Sequence, residues 1–421
     1  MRRPLCVIDH VGNSGGGVKY VLHLLDGLRE DWDITINAQP VAIERYQRAA
    51  AGQPLPFRQT WPLNLLPVLA DRSPIFAWWT SRLYCGHRGW TFRIRPEAHH
   101  DSSICFFPWL HRHDLGQFRG HGLGVFHDAI FFQRPEMIGS KSLARETANL
   151  HTWFDKLDKI VVTSQHTKRR LLHIAGEQRA NQVSVIPVAD FDRPTGLTDP
   201  GPQATRRFGR YLVMPANTSI HKNHRLLLQA MRRSVGPWKL VLTGDGTADG
   251  PKSAIGRVIA EAGLADRVFG LGYVGQELVA RLIADAEALV MPTLGEGGGS
   301  FPVCEAIAAG TPVIASNLDV IEEQVERMGA QVTLFDPTSV DALVRALDRL
   351  AGDPTGFRRA AAEQVPRLRL RTWEDVARDF ARLLRELYPE RQNGNPERVP
   401  MPSGDGPPRA ALAKPAGSSR D

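Results

Sequence analysis

Between Pro292 and Asn317 the chain reads PTLGEGGGSFPVCEAIAAGTPVIASN, a stretch whose residue types suit the capture of phosphate and sugar oxygens. Gly295, Gly297, Gly298 and Gly299 free the backbone to approach a ligand closely, and the amphipathic run 301–309 predicts a helix whose N-terminus points into that loop. Such an end carries roughly +0.5 of a charge and open N–H groups, so it favours anionic oxygens. Glu296 and Glu305 flank the helix start with acceptor oxygens for hydroxyl groups. The combination fits a phosphorylated sugar. A second cluster, Pro215–His224, follows a predicted strand and opens a helix, with Asn217, His221 and Lys222 near its first turn. His127-Asp128 follows another apparent strand, and Gly15, Gly16 and Gly17 form a turn where a Cβ-free backbone passes close to a ligand. That turn lacks the Gly-x-Gly-x-x-Gly spacing, which argues against a dinucleotide. Asp31-Trp32-Asp33 has the Asp-x-Asp form of a metal–diphosphate site, but it precedes a strand and reads as a helix-to-strand turn, so no metal and no cofactor are expected.

These residues need a scaffold that brings loop ends together. Short apolar strands alternate with helical periodicity along the chain, the pattern of parallel sheets covered by helices on both faces. In a first set, strands are predicted at 5–8, 34–37, 103–107, 122–126, 159–163 and 183–187, with a helix over 18–28 and Ser164 as N-cap of another. A second set has strands at 211–214, 239–243, 267–271, 288–291 and 313–315, separated by helices at about 222–235, 252–263, 275–286 and 301–309. The reading is α/β, with two Rossmann-like doubly wound domains: 1–195, a linker at 196–210, 211–371, a final helix at 372–388, and a disordered Pro/Gly/Ser-rich tail at 391–421. Open parallel sheets bind ligands beyond the carboxyl ends of their strands, which is where the 295–299 loop would lie.

Composition narrows the class. The length of 421 residues and an apolar share of 42% fit a globular chain of more than one domain. The +7 formal charge favours acidic partners, but no basic stripe or aromatic RNA motif supports nucleic-acid binding. Cys6, Cys85, Cys105 and Cys304 are far apart in sequence, as expected of reduced thiols in a cytosol. The apolar run 5–8 stops at Asp9, short of a signal peptide, and no segment has the ~20 apolar residues that span a bilayer. A cytoplasmic location is expected.

Taken in order, Ser14-Gly15-Gly16-Gly17, Phe126-His127-Asp128 with Pro135-Glu136, Val162 to Lys168, Pro215 to Asn223 and residues 292–317 resemble a retaining glycosyltransferase of family 4, with the GT-B arrangement of two domains facing a cleft. The resemblance covers most of residues 5–388. It implies a nucleotide-sugar donor, GDP- or UDP-linked, held mainly by the C-terminal domain, and a glycan or lipid-linked acceptor held mainly by the N-terminal one. The last helix of such proteins commonly crosses back to the first domain.

By this resemblance Lys222 meets the donor diphosphate, whose two charges are costly to take from water unless cations and N–H donors replace the solvent. Many relatives carry an Arg six positions before the Lys; here that position is Ala216, and Asn217, His221 or an arginine from elsewhere are the candidates to replace it. Glu305 matches the carboxylate that grips ribose hydroxyls. Glu296 matches the donor-sugar carboxylate, but the family spacing Glu-x7-Glu is longer here by one residue, so the backbone N–H groups of Gly298, Gly299, Ser300 and Phe301 are the alternative sugar contact. His127 would lie near the donor sugar, stabilising developing charge or positioning an acceptor hydroxyl, and Gly16 and Gly17 would pass close to the diphosphate or acceptor. Residues 54–110, with Trp61, Trp78, Trp79, Trp90 and Trp109 among arginines, read either as core aromatics with solvated arginines or as a lipid-linked-acceptor or peripheral membrane surface. The competing functions are a non-catalytic nucleotide-sugar-binding protein of the same fold and a hydrolysing sugar-nucleotide epimerase.

Overall fold

The computed structural model describes residues 2–9, 16–38, 40–50, 53–60, 92–93, 104–111, 113–116, 118–137, 140–191, 200–248, 250 and 253–389. Expectations for the tail at 391–421, for the linker part at 196–199 and for Trp61, Trp78, Trp79 and Trp90 lie outside these residues.

The strands are β1 (Arg3–Asp9), β2 (Trp32–Ala38), β3 (Arg58–Thr60), β4 (Phe92–Arg93), β5 (Ile104–Phe107), β6 (His113–Asp114), β7 (Gly122–Phe126), β8 (Lys159–Val162), β9 (Val183–Val185), β10 (Tyr211–Pro215), β11 (Lys239–Thr243), β12 (Val268–Gly270), β13 (Ala288–Met291), β14 (Val313–Ser316) and β15 (Thr333–Phe335). Helices are α1 (Gly16–Leu28), α2 (Pro40–Ala49), α3 (Ile130–Gln133), α4 (Ser140–Lys156), α5 (Gln165–Ala175), α6 (His224–Arg233), α7 (Ala254–Glu261), α8 (Gln276–Asp285), α9 (Phe301–Ala308), α10 (Asp319–Met328), α11 (Val340–Gly352), α12 (Pro354–Gln364) and α13 (Trp373–Leu387). Among the described residues they build two large sheets, a seven-stranded one in the order β3-β2-β1-β5-β7-β8-β9 and a six-stranded one in the order β12-β11-β10-β13-β14-β15, while β4 pairs with β6. Both large sheets are parallel throughout.

Central strands such as β7 and β13 are buried at every position, which is why they read as unbroken apolar runs rather than alternating ones. In each sheet the chain winds outward on one side and then returns to the other, so strand order reverses between β1 and β5 and between β10 and β13. Crevices at such reversals are where open α/β sheets take ligands.

Several expectations are corrected. The second part of the linker is not a free segment: Phe208 is buried and packs on Tyr211 at a centroid distance of 5.7 Å, and the Thr205 hydroxyl donates to Asp285 at 2.6 Å. An apolar aromatic and a partnered hydroxyl bind residues 205–208 to the second sheet. Lys222 ends a short 3-10 turn, Ile220–Lys222, and helix α6 begins only after Asn223, whose φ of 58° breaks the path. Gly16 and Gly17 open helix α1 rather than standing in a loop. Cys6 and Cys105, distant in sequence, are register partners on β1 and β5, and both are free thiols, in keeping with the expectation. Of the Asp-x-Asp run, Asp31 lies in the turn but Trp32 and Asp33 already belong to β2; Asp31 accepts from Arg385 at 2.7 Å and Asp33 from Arg58 at 2.5 Å.

Candidate functional site

Three neighbouring strands of the second sheet, β11, β10 and β13, deliver their following loops to one edge. There, a cavity of ≈ 270 Å³ is lined by Asn217 and Lys222 after β10, by Gly244 and Asp245 after β11, and by Phe301, Pro302 and Glu305 of helix α9. Positions 301, 302 and 305 share a face because a helix brings i and i+4 together, and a proline in the first turn has no N–H to lose there. Tyr273, Val274 and Gln276 form another wall. Two residues from elsewhere complete it: Lys19 of α1 and Trp373 of α13. The cleft thus joins both halves of the chain.

Of the predicted residues, Asn217, Lys222, Phe301 and Glu305 meet at this cavity, while Glu296 does not line it. Glu296 is buried, and its Oε1 accepts from Lys222 Nζ at 2.6 Å. It lines a second cavity of ≈ 200 Å³ with Gln133, Arg134, His166 and Arg170. One ion pair therefore connects a wall of the first cavity to a wall of the second. Backbone bonds hold the two loops together, since Leu294 N–H and Thr293 Oγ1 both donate to the His221 carbonyl, at 2.6 and 3.2 Å.

The glycines of the 295–299 loop serve a contact that the sequence did not reveal. A Cβ on Gly297 would collide with the His127 carbonyl and Asp128, and one on Gly298 would collide with Thr163. Both neighbours belong to the first half, so these positions let the halves touch. Gly299 has φ +103°, a conformation that L side chains rarely adopt, and packs on Gln324. Ser300 N–H, expected as a sugar contact, donates instead to Gln324 Oε1 at 2.9 Å. The Gly297 carbonyl accepts from Ser164 and Thr167, at 3.0 and 2.8 Å.

His127 lines neither cavity. Its ring stacks on Trp109 with centroids 4.2 Å apart and meets Tyr20 edge-on at 4.6 Å. Nε2 lies 2.8 Å from the Pro108 carbonyl, and a carbonyl can only accept, so Nε2 carries the proton. Burial lowers the ring to about 4 against the helping effects of Pro108 and Asp128, which leaves a neutral imidazole with Nδ1 as an acceptor. Behind it, burial opposes a charge on His111, but Glu146 at 3.4 Å and the Asp128 carbonyl at 3.1 Å outweigh it and raise its pKa. Burial also lowers His221, with Lys222 adding to the effect.

Lys19, Gly244, Asp245, Tyr273, Gln276 and Trp373 are cavity residues that sequence reasoning missed. The Thr243-Gly244-Asp245-Gly246 turn after a strand was a usable signal; Lys19 and Trp373 gave none, because their place depends on how the halves meet.

Two open parallel sheets with a cleft at their carboxyl edges define the GT-B fold. Solved structures of this fold cover nearly the whole chain: Anabaena Alr3699/HepE in complex with UDP-glucose has a TM-score of 0.65 at 15% identity, covering 91% of this chain and 100% of that one. Sucrose-phosphate synthase from Thermosynechococcus elongatus has a TM-score of 0.63 at 21% identity, covering 92% and 99%. Residues 204–367 match the family described as glycosyl transferases group 1. In sequence, the chain is similar to the MMP alpha-(1->4)-mannosyltransferase of Mycolicibacterium hassiacum, 35% identical over 30% of this chain and 31% of the relative. It is also similar to the GDP-mannose-dependent alpha-(1-6)-phosphatidylinositol monomannoside mannosyltransferase of Mycolicibacterium smegmatis, 30% identical over 49% of this chain and 56% of the relative. The matched span is about a third to just over half of these curated relatives' length.

Proposed function

We propose that the protein is a retaining glycosyltransferase that moves a hexose, mannose foremost, from a GDP- or UDP-linked donor to an acceptor hydroxyl in bacterial polysaccharide or glycolipid assembly. The carrying observation is the convergence of Lys222, Glu305 and the N-terminus of α9 on one cavity at the strand-order reversal. Lys222 meets the diphosphate by a charge-assisted hydrogen bond, and Glu305 accepts from the ribose hydroxyls. Lys222 leaves Glu296 in doing so, and the released carboxylate takes hydroxyls of the donor sugar. The leaving diphosphate is stabilised by the ammonium and the helix end while the acceptor hydroxyl attacks the same face of the anomeric carbon and gives its proton to the leaving phosphate. His127 lies outside both cavities, and a role for it in orienting that hydroxyl through Nδ1 would need the acceptor to reach beyond them. The names of the similar mannosyltransferases support the sugar, and a glycan or lipid-linked acceptor taken at the inner face of the membrane fits the same reading.

The test is transfer and donor hydrolysis across a panel of GDP- and UDP-sugars, with product anomeric configuration read by NMR. Glu305→Ala and Lys222→Ala are expected to lower kcat/KM at least ~10-fold each, the worth of one charge-assisted contact, with folding intact. EDTA is expected to leave the rate unchanged. Binding without turnover would favour a non-catalytic sugar-nucleotide protein, and turnover without a second substrate would favour an epimerase.

A further inference from the structure

Lys19 enters the cleft from the half of the chain opposite to Lys222, and both side chains line the same ≈ 270 Å³ cavity. It stands in the first turn of α1, and its Nζ donates at 2.6 Å to Oε1 of Gln276, the first residue of α8. The two residues are 257 positions apart, so the bond crosses the cleft. Gln276 carries no charge. An ammonium gains less from an amide oxygen than from a phosphate oxygen, so the Gln276 contact yields to an anion entering the cavity.

The demand for a second cation comes from charge balance. A sugar nucleotide brings two negative charges into a cavity whose walls include apolar Ala216, Val274, Met291 and Phe301. Lys222, the other ammonium there, is bound to the buried Glu296 carboxylate. We infer that Lys19 is the second diphosphate-binding cation, exchanging Gln276 for a phosphate oxygen when the donor binds. This deepens the glycosyltransferase reading and rests on it. Because Lys19 belongs to the first half and the other phosphate contacts to the second, the donor itself ties the halves together across the cleft.

Calorimetric titration of the full chain with UDP, GDP, uridine and guanosine tests this directly. Lys19→Met keeps the aliphatic stem and removes the charge; it is expected to weaken nucleoside diphosphate binding by ~10- to 100-fold while nucleoside affinity and the ligand-free melting temperature hold. Lys19→Arg is expected to restore most of the loss. Undiminished diphosphate affinity in Lys19→Met overturns the inference while leaving the donor site standing. An equal loss for nucleosides and diphosphates also overturns it, since Lys19 would then only brace the cleft. A wild-type chain that binds diphosphates no tighter than nucleosides overturns the donor reading and this inference together.

Discussion

His127 shows how much a single residue's role depends on its neighbours. The sequence offered two roles, stabilising charge or positioning a hydroxyl, and where the ring's proton sits bears on both. With Nε2–H committed to the Pro108 carbonyl and burial holding the ring near 4, the imidazole is neutral at neutral pH and offers only an acceptor. The same burial makes it a pH-dependent element of stability. Because its folded pKa lies below the ordinary 6.5, the unfolded chain takes up the proton first; the stability it contributes is complete above pH 6.5 and is lost as pH falls toward about 4. His224, also lowered to about 4 by burial, acts in the same direction, whereas His111 acts oppositely because Glu146 and Asp128 raise it. The comparison that isolates His127 is therefore between variants. His127→Gln is expected to flatten the fall of the melting temperature across this window, and a variant that tracks the wild type at every pH would show that the ring does not titrate in folding.

At the level of elements, α10 is the bracket between the halves. One of its carboxylates, Glu323, accepts from the N–H groups of Gln165 and His166 at 2.7 and 2.8 Å, capping the open end of α5 in the other half. Along the same helix Asp319 lies 3.3 Å from His166, and Arg327 donates to the buried Asp190 at 2.8 Å. Losing a cap costs about 1 kcal/mol, or about fivefold in an equilibrium. Glu323→Ala is thus expected to raise KM for the donor by up to about fivefold with kcat unchanged, since fewer molecules hold the two halves together while those that do are unaltered; a fall in kcat alone would contradict this. Much of the framework was legible beforehand, because buried parallel strands such as β7 and β13 are continuous apolar runs that need no tertiary context. The bracket was not: Glu323 in the sequence is one of several acids on a helix, and only the docking of α5 gives it partners. Gly297 was legible as a close-approach position, but not what approaches it, and β15, with Phe335 alone fully buried, is too short to carry a pattern.

For the whole molecule, which parts share a core does not follow the order of the sequence. Helix α13 lies at the end of the described chain, yet it packs on α1, and Trp373, Val376, Phe380 and Leu384 join the core of the first half. Their spacing is helical, and a capping box between Thr372 and Asp375 fixes where the helix starts. Even the approach is built in: a Cβ on Gly27 would collide with that of Ala377. The first half therefore has an incomplete core until the chain has run through the second half and returned. Phe380 is 1% exposed and meets Phe106 of β5 edge-on at 5.8 Å, so Phe380→Ala removes a ring from the centre of this seam. A loss of about 3–5 kcal/mol is expected, as for other buried Phe truncations. Hydrogen exchange is the measurement that locates it: amides of β1, β5 and α1 are expected to exchange faster, while those of β10, β11 and β13 keep their protection and still respond to nucleotide. Equal acceleration in both sheets would mean instead that the two halves unfold as one body, with the seam no weaker than the sheets it joins.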